Sequence, residues 1–201
     1  PATSRALING EPTEGRLASG AKGSLRAHVR TTGVAAHSAY PSEGESAIES
    51  MVALLTELPG IELPSDPVLG ETTINVGLIE GGEAANIIPA SCEAELMIRL
   101  VGERGPVEAA LEAWAHGTAA VEFGAHVPAT HFVTVPGFEI EPVSFTTDAP
   151  LLERWGRPLL FGPGSIRDAH GVDEHVVIDD LHDSVDVYER LVRTLLLDLP
   201  Q

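Results

Sequence analysis

The sequence predicts an α/β protein in which a ferredoxin-like domain is inserted into a second α/β domain. Before Pro136, the spacing of apolar residues indicates elements in the order β-α-β-β-α-β, which is the ferredoxin-like arrangement. After Pro136, the order changes to helix, strand, loop, strand and helix, which is typical of an α/β domain with short connections. We therefore assign residues 1–21 and 137–201 to one partial α/β domain and residues 22–136 to the insertion.

Changes in the spacing of apolar residues along the sequence predict the elements of the insertion. A period of two indicates a half-buried strand, and a stripe at helical spacing indicates an amphipathic helix. In chain order, the insertion is predicted to contain a strand at 22–32, a helix at 45–58, strands at 72–79 and 90–101, a helix that Pro106 opens, and strand-like residues at 118–135. In the strand at 90–101, the residues expected to face the core are Cys92, Ala94, Leu96, Ile98 and Leu100.

The elements after Pro136 follow from shorter patterns. We expect a helix at residues 148–155, a buried strand at 157–161 and a glycine-rich loop that contains His170. A short strand is predicted at residues 175–178, followed by a final helix with one apolar face.

Charge and composition exclude several classes of protein. The chain has 201 residues, with 12 Lys and Arg against 30 Asp and Glu, so its formal net charge is −18. This charge argues against nucleic acid or an anionic membrane as a partner, because either would repel the molecule. Hydrophobic residues make up 43% of the chain, which is enough for a core and argues against a disordered acidic tail.

Cysteine usage and the longest apolar runs narrow the class further. The single cysteine, Cys92, excludes a disulfide framework and an all-cysteine zinc site. No apolar run approaches the roughly 20 residues that span a bilayer, and no charged-then-apolar leader opens the sequence. The sequence therefore predicts a soluble, cytoplasmic globular protein.

Two candidate metal ligands follow predicted strands, where open α/β sheets place their sites. His170 lies among glycine and small residues after the strand at 157–161, and Glu11 ends a short strand near the start of the chain. Both residue types bind metal ions. The alternatives are a water-exposed loop histidine for His170 and a turn carboxylate before Pro12 for Glu11.

Three polar residues of the insertion are candidates for contact with a ligand. His37 lies in a loop of small residues, Asn86 lies in a glycine-containing turn, and Arg99 lies on the polar face of a strand. Each also has a structural alternative. The His37 ring can be satisfied by neighbouring backbone, Asn86 can hold a left-handed turn, and Arg99 can pair with Glu93 or Glu95.

The segment from Gly162 to Ser165 lacks the spacing and the lysine of a phosphate-binding loop. Ser165 is not expected to be a nucleophile, because the sequence has no Gly-x-Ser-x-Gly elbow.

The order of these motifs along the chain is specific, although each motif by itself is weak. Gly10-Glu11-Pro12-Thr13, Ala36 to Pro41, Gly81 to Pro89, Arg99 and the string from Gly162 to Glu174 stand in this order. Together they resemble the dinuclear zinc amidohydrolase family of acetylornithine deacetylase, succinyl-diaminopimelate desuccinylase, aminoacylase and carboxypeptidase G. The resemblance covers nearly all of the chain. The string from Gly162 to Glu174 is most similar to the acetylornithine deacetylase branch.

The resemblance implies a fold, a reaction and a role for each candidate residue. The fold would be a mixed-sheet catalytic domain with an inserted lid or dimerisation domain, and the reaction would be hydrolysis of the amide of an N-acyl amino acid. Glu11 and His170 would each bind one of two zinc ions, for which cobalt or manganese are alternatives. His37 would stabilise the oxyanion, often in the partner subunit of a homodimer. Substrate contacts would come from Asn86, Arg99, Gly164 and Ser165, with Arg99 at the substrate carboxylate.

The chain departs from the family pattern in its first part. Family members carry upstream H-x-D and Glu-Glu segments that supply further zinc ligands and the general base, and this sequence contains neither. Each zinc ion takes about four ligands. We therefore expect a carboxy-terminal fragment of the hydrolase that is inactive by itself. The alternative is a non-catalytic dimerisation or binding module derived from the family.

Overall fold

The computed structural model describes residues 4–198, which form two compact units. We name residues 4–22, 67–69 and 129–198 the α/β unit, and residues 23–66 and 70–128 the ferredoxin-like unit. The strands are β1 Ala6–Asn9, β2 Leu17–Ala21, β3 Gly23–Thr32, β4 Ala36–His37, β5 Ser65–Asp66, β6 Gly70–Glu71, β7 Thr73–Gly81, β8 Ile87–Ile88, β9 Ser91–Leu100, β10 Ala119–Val127, β11 Thr130–His131, β12 Ile140–Val143 and β13 Arg157–Leu160. The α-helices are α1 Ala47–Glu57, α2 Arg104–Trp114 and α3 Ile178–Asp198. Short 3₁₀ helices lie at Pro41–Glu43, Leu58–Gly60, Ala149–Trp155 and Ile166–Asp168.

The ferredoxin-like unit is built on a four-stranded antiparallel sheet. Its strand order is β10-β3-β9-β7, and the chain runs through it as β3, α1, β7, β9, α2 and β10. This is the β-α-β-β-α-β topology that the apolar periods predicted. The predicted fold class, an α/β protein with an inserted ferredoxin-like domain, is confirmed.

The two faces of this sheet differ because polar and apolar residues alternate along β3 and β9. The five residues of β9 that were expected to face the core are all buried. On the opposite face, Arg30 Nε lies 2.8 Å from Glu93 Oε1, and Arg26 Nη1 lies 3.4 Å from Glu95 Oε1. The sheet therefore buries one face and presents a polar face of cross-strand ion pairs on the other.

Both helices of this unit are attached to the buried core. The Ser46 hydroxyl accepts the backbone N–H of Glu49 at 3.2 Å, which caps the start of α1. Met51 and Leu54 are buried on the inner side of α1. The Trp114 indole N–H donates to the carbonyl oxygen of Leu54 at 3.0 Å, so α2 is bonded to α1 as well as packed in the same core.

The α/β unit contains a two-stranded parallel pair and a three-stranded sheet. β1 and β13 run parallel with Ile8 opposite Leu159, and the second sheet has the order β11-β2-β12. α3 contributes Leu191 and Leu195 to a cluster with Leu159 and Phe161. The chain has returned to this unit by residue 129, because β11 pairs with β2.

Three local expectations differ from the structure. The predicted strand at 175–178 is wrong: residues 174–177 have no regular structure, and α3 begins at Ile178. Val176 and Val177 suggested a strand because they are β-branched, but both are exposed and have no strand to pair with among the described residues. Pro106 is the third residue of α2 rather than the first, and the segment predicted as a helix at 148–155 is a 3₁₀ helix.

α3 is the longest helix, with 21 residues, and it carries acidic residues from its first turn onward. None of the helices within residues 4–198 combines the length and the apolar character needed to cross a bilayer.

Gly33 lies where the loop that carries His37 closes on itself. Val34 and Glu45 exchange two backbone hydrogen bonds of 2.8 and 2.9 Å. A Cβ on Gly33 would lie 2.0 Å from the carbonyl oxygen of Glu45. We expect Gly33→Ala to lower the free energy of unfolding by about 2 kcal/mol or more, because the clash is with backbone and no rotamer relieves it. Urea denaturation measures this loss.

Gly60→Ala is the matched control, because nothing lies within 4 Å of the added Cβ. Its free energy of unfolding should change by less than about 0.5 kcal/mol. Equal losses in the two variants would contradict this account of loop closure.

Candidate active site

A cavity lies at the carboxyl ends of the parallel strands β1 and β13. Glu11 follows β1, and the segment from Gly162 to Ser165 follows β13. Both segments line a cavity of about 460 Å³, together with Ala169 and Glu174 from the His170 loop. Parallel strands bring their carboxyl ends to one edge of a sheet, which is where α/β proteins bind ligands.

The backbone of Glu11 is held against the loop after β13. A Cβ on Gly162 would lie 2.4 Å from the carbonyl oxygen of Glu11, so only glycine permits this approach. The buried Thr13 hydroxyl accepts the N–H of Gly162 at 3.1 Å and donates to the carbonyl oxygen of Arg16 at 2.6 Å. The two loops therefore form one rigid edge of the cavity.

Burial and a neighbouring charge both disfavour the ionised form of the Glu11 carboxyl. Burial removes water from this carboxyl, and the charge of Asp148 opposes a second negative charge nearby, so the pKa of Glu11 is raised. A bound cation would compensate both effects.

His170 lies in an exposed loop with a strained backbone. Its φ of 64° is in the left-handed region, which side chains other than glycine rarely adopt. Its backbone N–H donates to Glu174 Oε2 at 3.1 Å. Because Ala169 and Glu174 line the cavity, the loop that carries His170 borders the same space as Glu11.

The described residues do not by themselves make up a metal site. Within residues 4–198, no three His, Cys, Asp or Glu side chains come together in a group that could hold a metal ion. Zinc takes about four ligands. Glu11 and His170 therefore fit part of a metal site at most, and the remaining ligands would have to come from other polypeptide.

Gly164 and Ser165 line the same cavity. The Ser165 hydroxyl donates to Glu14 Oε1 at 3.2 Å and accepts the N–H of Arg167 at 3.3 Å. It caps the 3₁₀ helix Ile166–Asp168. These bonds give the hydroxyl a local structural role.

The structure brings His37 and Asn86 together in the ferredoxin-like unit. β4 pairs with β8, and the N–H of Ser38 donates to the carbonyl oxygen of Asn86 at 3.0 Å. His37 Nδ1 accepts the N–H of Ala39 at 3.1 Å. Because Nδ1 accepts, the proton of the neutral ring is assigned to Nε2. Nε2–H is therefore the donor of this exposed side chain.

Arg99 lies apart from these two residues. It stands opposite Thr73, near the end of β9 that is remote from Ser91. At about 3.3 Å per residue, roughly 26 Å of strand separates Ser91 from Arg99. Asn86 precedes Ser91 and so lies beyond the other end of β9. The two glutamates that were considered as partners of Arg99 form the ion pairs with β3 described above.

Sequence reasoning gave no role in the site to three residues near Glu11, and it assigned one of them, His175, to a solvated surface. Asp148 acts on the Glu11 carboxyl and accepts from Asn9 Nδ2 at 2.8 Å. Tyr188 and His175 line the cavity, and the Tyr188 hydroxyl donates to the carbonyl oxygen of Phe161 at 2.7 Å. The apolar stripe of the last helix indicated that Tyr188 faces the core. No sequence signal connects Asp148 with Glu11.

Comparisons with known proteins agree on one family. Residues 19–117 match the model of a peptidase dimerisation domain, M20_dimer. A peptidase M20 domain-containing protein of Schizosaccharomyces pombe is 38% identical over 92% of this chain and 47% of its own length. A protein of Emericella nidulans named probable carboxypeptidase is 36% identical over 96% of this chain and 52% of its own. The chain thus spans about half the length of these relatives.

Solved structures share the fold at low identity. An aminopeptidase PepT of Bacillus cereus superposes with a TM-score of 0.67 at 18% identity, over 89% of this chain and 53% of its own. A hydantoinase/carbamoylase family amidase of Burkholderia ambifaria superposes with a TM-score of 0.67 at 20% identity, over 88% of this chain and 50% of its own. The matched domain model and the relatives of 36% and 38% identity show that the chain belongs to the M20 peptidase family.

Proposed function

We propose that the chain forms the lid and the carboxy-terminal part of the catalytic domain of a zinc-dependent amidohydrolase. The substrate would be an N-acyl amino acid whose amide is cleaved, as in acetylornithine deacetylase. The observation that carries the proposal is that the loop of Glu11 and the loop of His170 border the same cavity. The names of the relatives, carboxypeptidase and peptidase, denote hydrolysis of a C–N bond of the same kind.

Glu11 and His170 would each contribute one ligand to a pair of zinc ions. When bound, the zinc ions would polarise the scissile carbonyl and lower the pKa of the attacking water. A cation bound here would offset the burial and the Asp148 charge that raise the pKa of the Glu11 carboxyl. Thr13 and Gly162 fix the backbone of Glu11, so this ligand would be positioned before metal binds.

His37 would stabilise the oxyanion that forms when the carbonyl is attacked. Its Nε2–H is the donor, because Nδ1 is held by the N–H of Ala39. Such a donor contributes most when charge develops in the transition state. Asn86 directly precedes the neighbouring strand β8 and would contact the same end of the substrate.

Arg99 would bind the substrate carboxylate through its fork of donors. Within one ferredoxin-like unit, Arg99 lies near one end of β9, and the loop that carries His37 follows the end of β3 that is opposite the other end of β9, roughly 26 Å of strand away. A small N-acyl amino acid does not bridge this distance. The separation supports an active site in which His37 and Asn86 act on substrate held by the partner subunit of a homodimer.

The ferredoxin-like unit has a suitable edge for such a dimer. β7 is at the edge of the sheet, and Leu78 and Ile79 on it are 66% and 53% exposed. An exposed apolar edge strand is a template for pairing with another chain. Antiparallel pairing of two β7 strands about a two-fold axis would cover it.

A second candidate function is a non-catalytic dimerisation module. The observation that favours it is that no three-ligand metal group occurs within residues 4–198. Deacylase activity of a longer protein that contains this chain distinguishes the two candidates, because a module derived from the family would have none.

In such a longer enzyme, we expect His37→Ala to lower kcat by about 100-fold and to change KM little, because the lost donor acts on the transition state. Steady-state kinetics with an N-acetyl amino acid measure both constants. His28→Ala is the control, since His28 is an exposed histidine on β3, in the middle of the sheet. A rise in KM with kcat unchanged would count against the oxyanion role.

Mixing two variants tests whether His37 of one subunit acts at the active site of the other subunit. A dimer of His37→Ala with His170→Ala should contain one intact site and recover part of the activity. Failure to recover activity, with heterodimers shown to form, would confine His37 to its own subunit.

Leu78→Lys should weaken the dimer by about tenfold or more, because it puts a charge on the exposed apolar edge that the two subunits would bury. Light scattering over a concentration series measures the dissociation constant. Glu122→Lys on β10, the opposite edge strand, is the control and should leave it unchanged. An unchanged dissociation constant for Leu78→Lys would rule out the β7 edge.

The purified 201-residue chain should bind zinc weakly and hydrolyse no N-acetylornithine, because it supplies two candidate ligands where a two-metal site needs several more. Titration calorimetry measures the affinity, which Glu11→Gln should lower further and Glu122→Gln should not. Zinc-dependent turnover by this chain alone would contradict the expectation.

A further inference from the structure

Another cavity lies within the ferredoxin-like unit, between the end of α1, the loop that follows α1 and the first half of β7. Its volume is about 660 Å³, and it shares no lining residue with the cavity that Glu11 borders. Concave sites of this size with a largely apolar lining are typical of small-molecule binding sites. The apolar residues that line it are Leu55, Leu58, Ile61, Leu63, Ile74 and Val76.

The floor of this cavity belongs to the core of the ferredoxin-like unit. Ile61 and Ile74 pack against the buried core cluster from the two sides of the cavity. The backbone N–H of Thr72, the residue before β7, donates to the carbonyl oxygen of Pro64 at 3.1 Å. This bond joins the start of β7 to the loop after α1, and Pro64 restricts the loop further because its φ is fixed. The backbone on both sides of the cavity is therefore held in place before any ligand binds.

Thr72 carries a buried hydroxyl group that lacks a partner. This residue is 6% exposed and lines the cavity, and its Oγ1 has no hydrogen-bond partner within residues 4–198. Thr31 of the same unit shows the usual arrangement, because its buried hydroxyl donates to the carbonyl oxygen of Ala47 at 2.8 Å. Rotation about χ1 exchanges the positions of the hydroxyl and methyl groups of a threonine. The Thr72 hydroxyl can therefore turn toward a molecule in the cavity.

The charges near the cavity favour a neutral ligand. Glu71 lines the cavity and is exposed, and the net charge of −18 disfavours anions. A cation would have to leave water to reach the buried Thr72 hydroxyl. Burying a charge costs far more free energy than burying a neutral polar group that gains a hydrogen bond.

We propose that this cavity binds a neutral aliphatic molecule whose hydroxyl or carbonyl group forms the hydrogen bond that Thr72 Oγ1 lacks. The hydrocarbon body of the ligand covers the apolar floor between α1 and β7. The site is independent of the proposed function, because its lining residues have no part in the hydrolysis.

Titration of the 201-residue chain with 1-octanol tests the proposal, with NMR of the isoleucine δ1 methyl groups as the measurement. The signals of Ile61 and Ile74 should shift saturably, with a dissociation constant in the millimolar range or below. The signal of Ile8, in the core of the α/β unit, should stay in place. Octanoate has the same chain length and a negative charge, and it should bind at least about tenfold more weakly.

Thr72→Val tests the hydrogen bond, because valine has the shape of threonine and no hydroxyl group. This variant should bind 1-octanol about fivefold or more weakly, and Thr72→Ser, which keeps the hydroxyl, should bind it nearly as well as the unmodified chain. Thr32→Val is the control, since Thr32 is an exposed threonine at the end of β3. In urea, Thr31→Val should lower the unfolding midpoint and Thr72→Val should not, because only Thr31 loses a hydrogen bond.

Four results would overturn the proposal. The first is the absence of saturable shifts at Ile61 and Ile74, and the second is equal affinity for 1-octanol and octanoate. The third is equal affinity of Thr72→Val and the unmodified chain for 1-octanol, or a lowered urea midpoint of Thr72→Val, since the hydroxyl would then already have a partner. The fourth is binding by Leu78→Lys that the dimer lacks, because the partner subunit would then occupy the cavity.

Discussion

The parallel pairing of β1 with β13 is the constraint on which the rest of the α/β unit depends. It joins a strand near the start of the chain to one near its end, with Ala6 opposite Arg157. The polypeptide between β1 and β13 must therefore leave this strand pair and return to it. Because both strands run in the same direction, their following loops meet at one edge, and this places Glu11 beside Gly162. The cavity is a consequence of the strand direction.

The parts of the fold that could be predicted are those in which apolar residues recur at a regular spacing over many positions. In β9, five alternate residues face one core, so the pattern is long enough to exclude a helix. The strand predicted at 175–178 failed because Val176 and Val177 offer β-branched residues over too short a segment to show a period. Whether such residues pair depends on a neighbouring strand, which no local pattern reveals.

The candidate site was predictable to the extent that its residues follow strands. Glu11 and the His170 loop could be placed at one edge of a sheet from sequence, because strand ends determine their position. The effect of the Asp148 charge on Glu11 could not, since Asp148 precedes a 3₁₀ helix rather than a strand. The closeness of His37 to Asn86 depends on the pairing of two-residue strands, in which His37 lies opposite Ile87, and such strands are too short to show a period.

The ferredoxin-like unit has one further property that follows from the register of its outer strand. Ser24, at the start of β3, lies opposite Val127, at the end of β10. These two residues, each one position inside an end of the unit, are neighbours across one ladder, about 5 Å apart. A domain whose termini are this close can be excised, transplanted or circularly permuted without rerouting its host. Such a unit can be acquired or lost in evolution by a single insertion or deletion, independently of the chemistry of the protein that carries it.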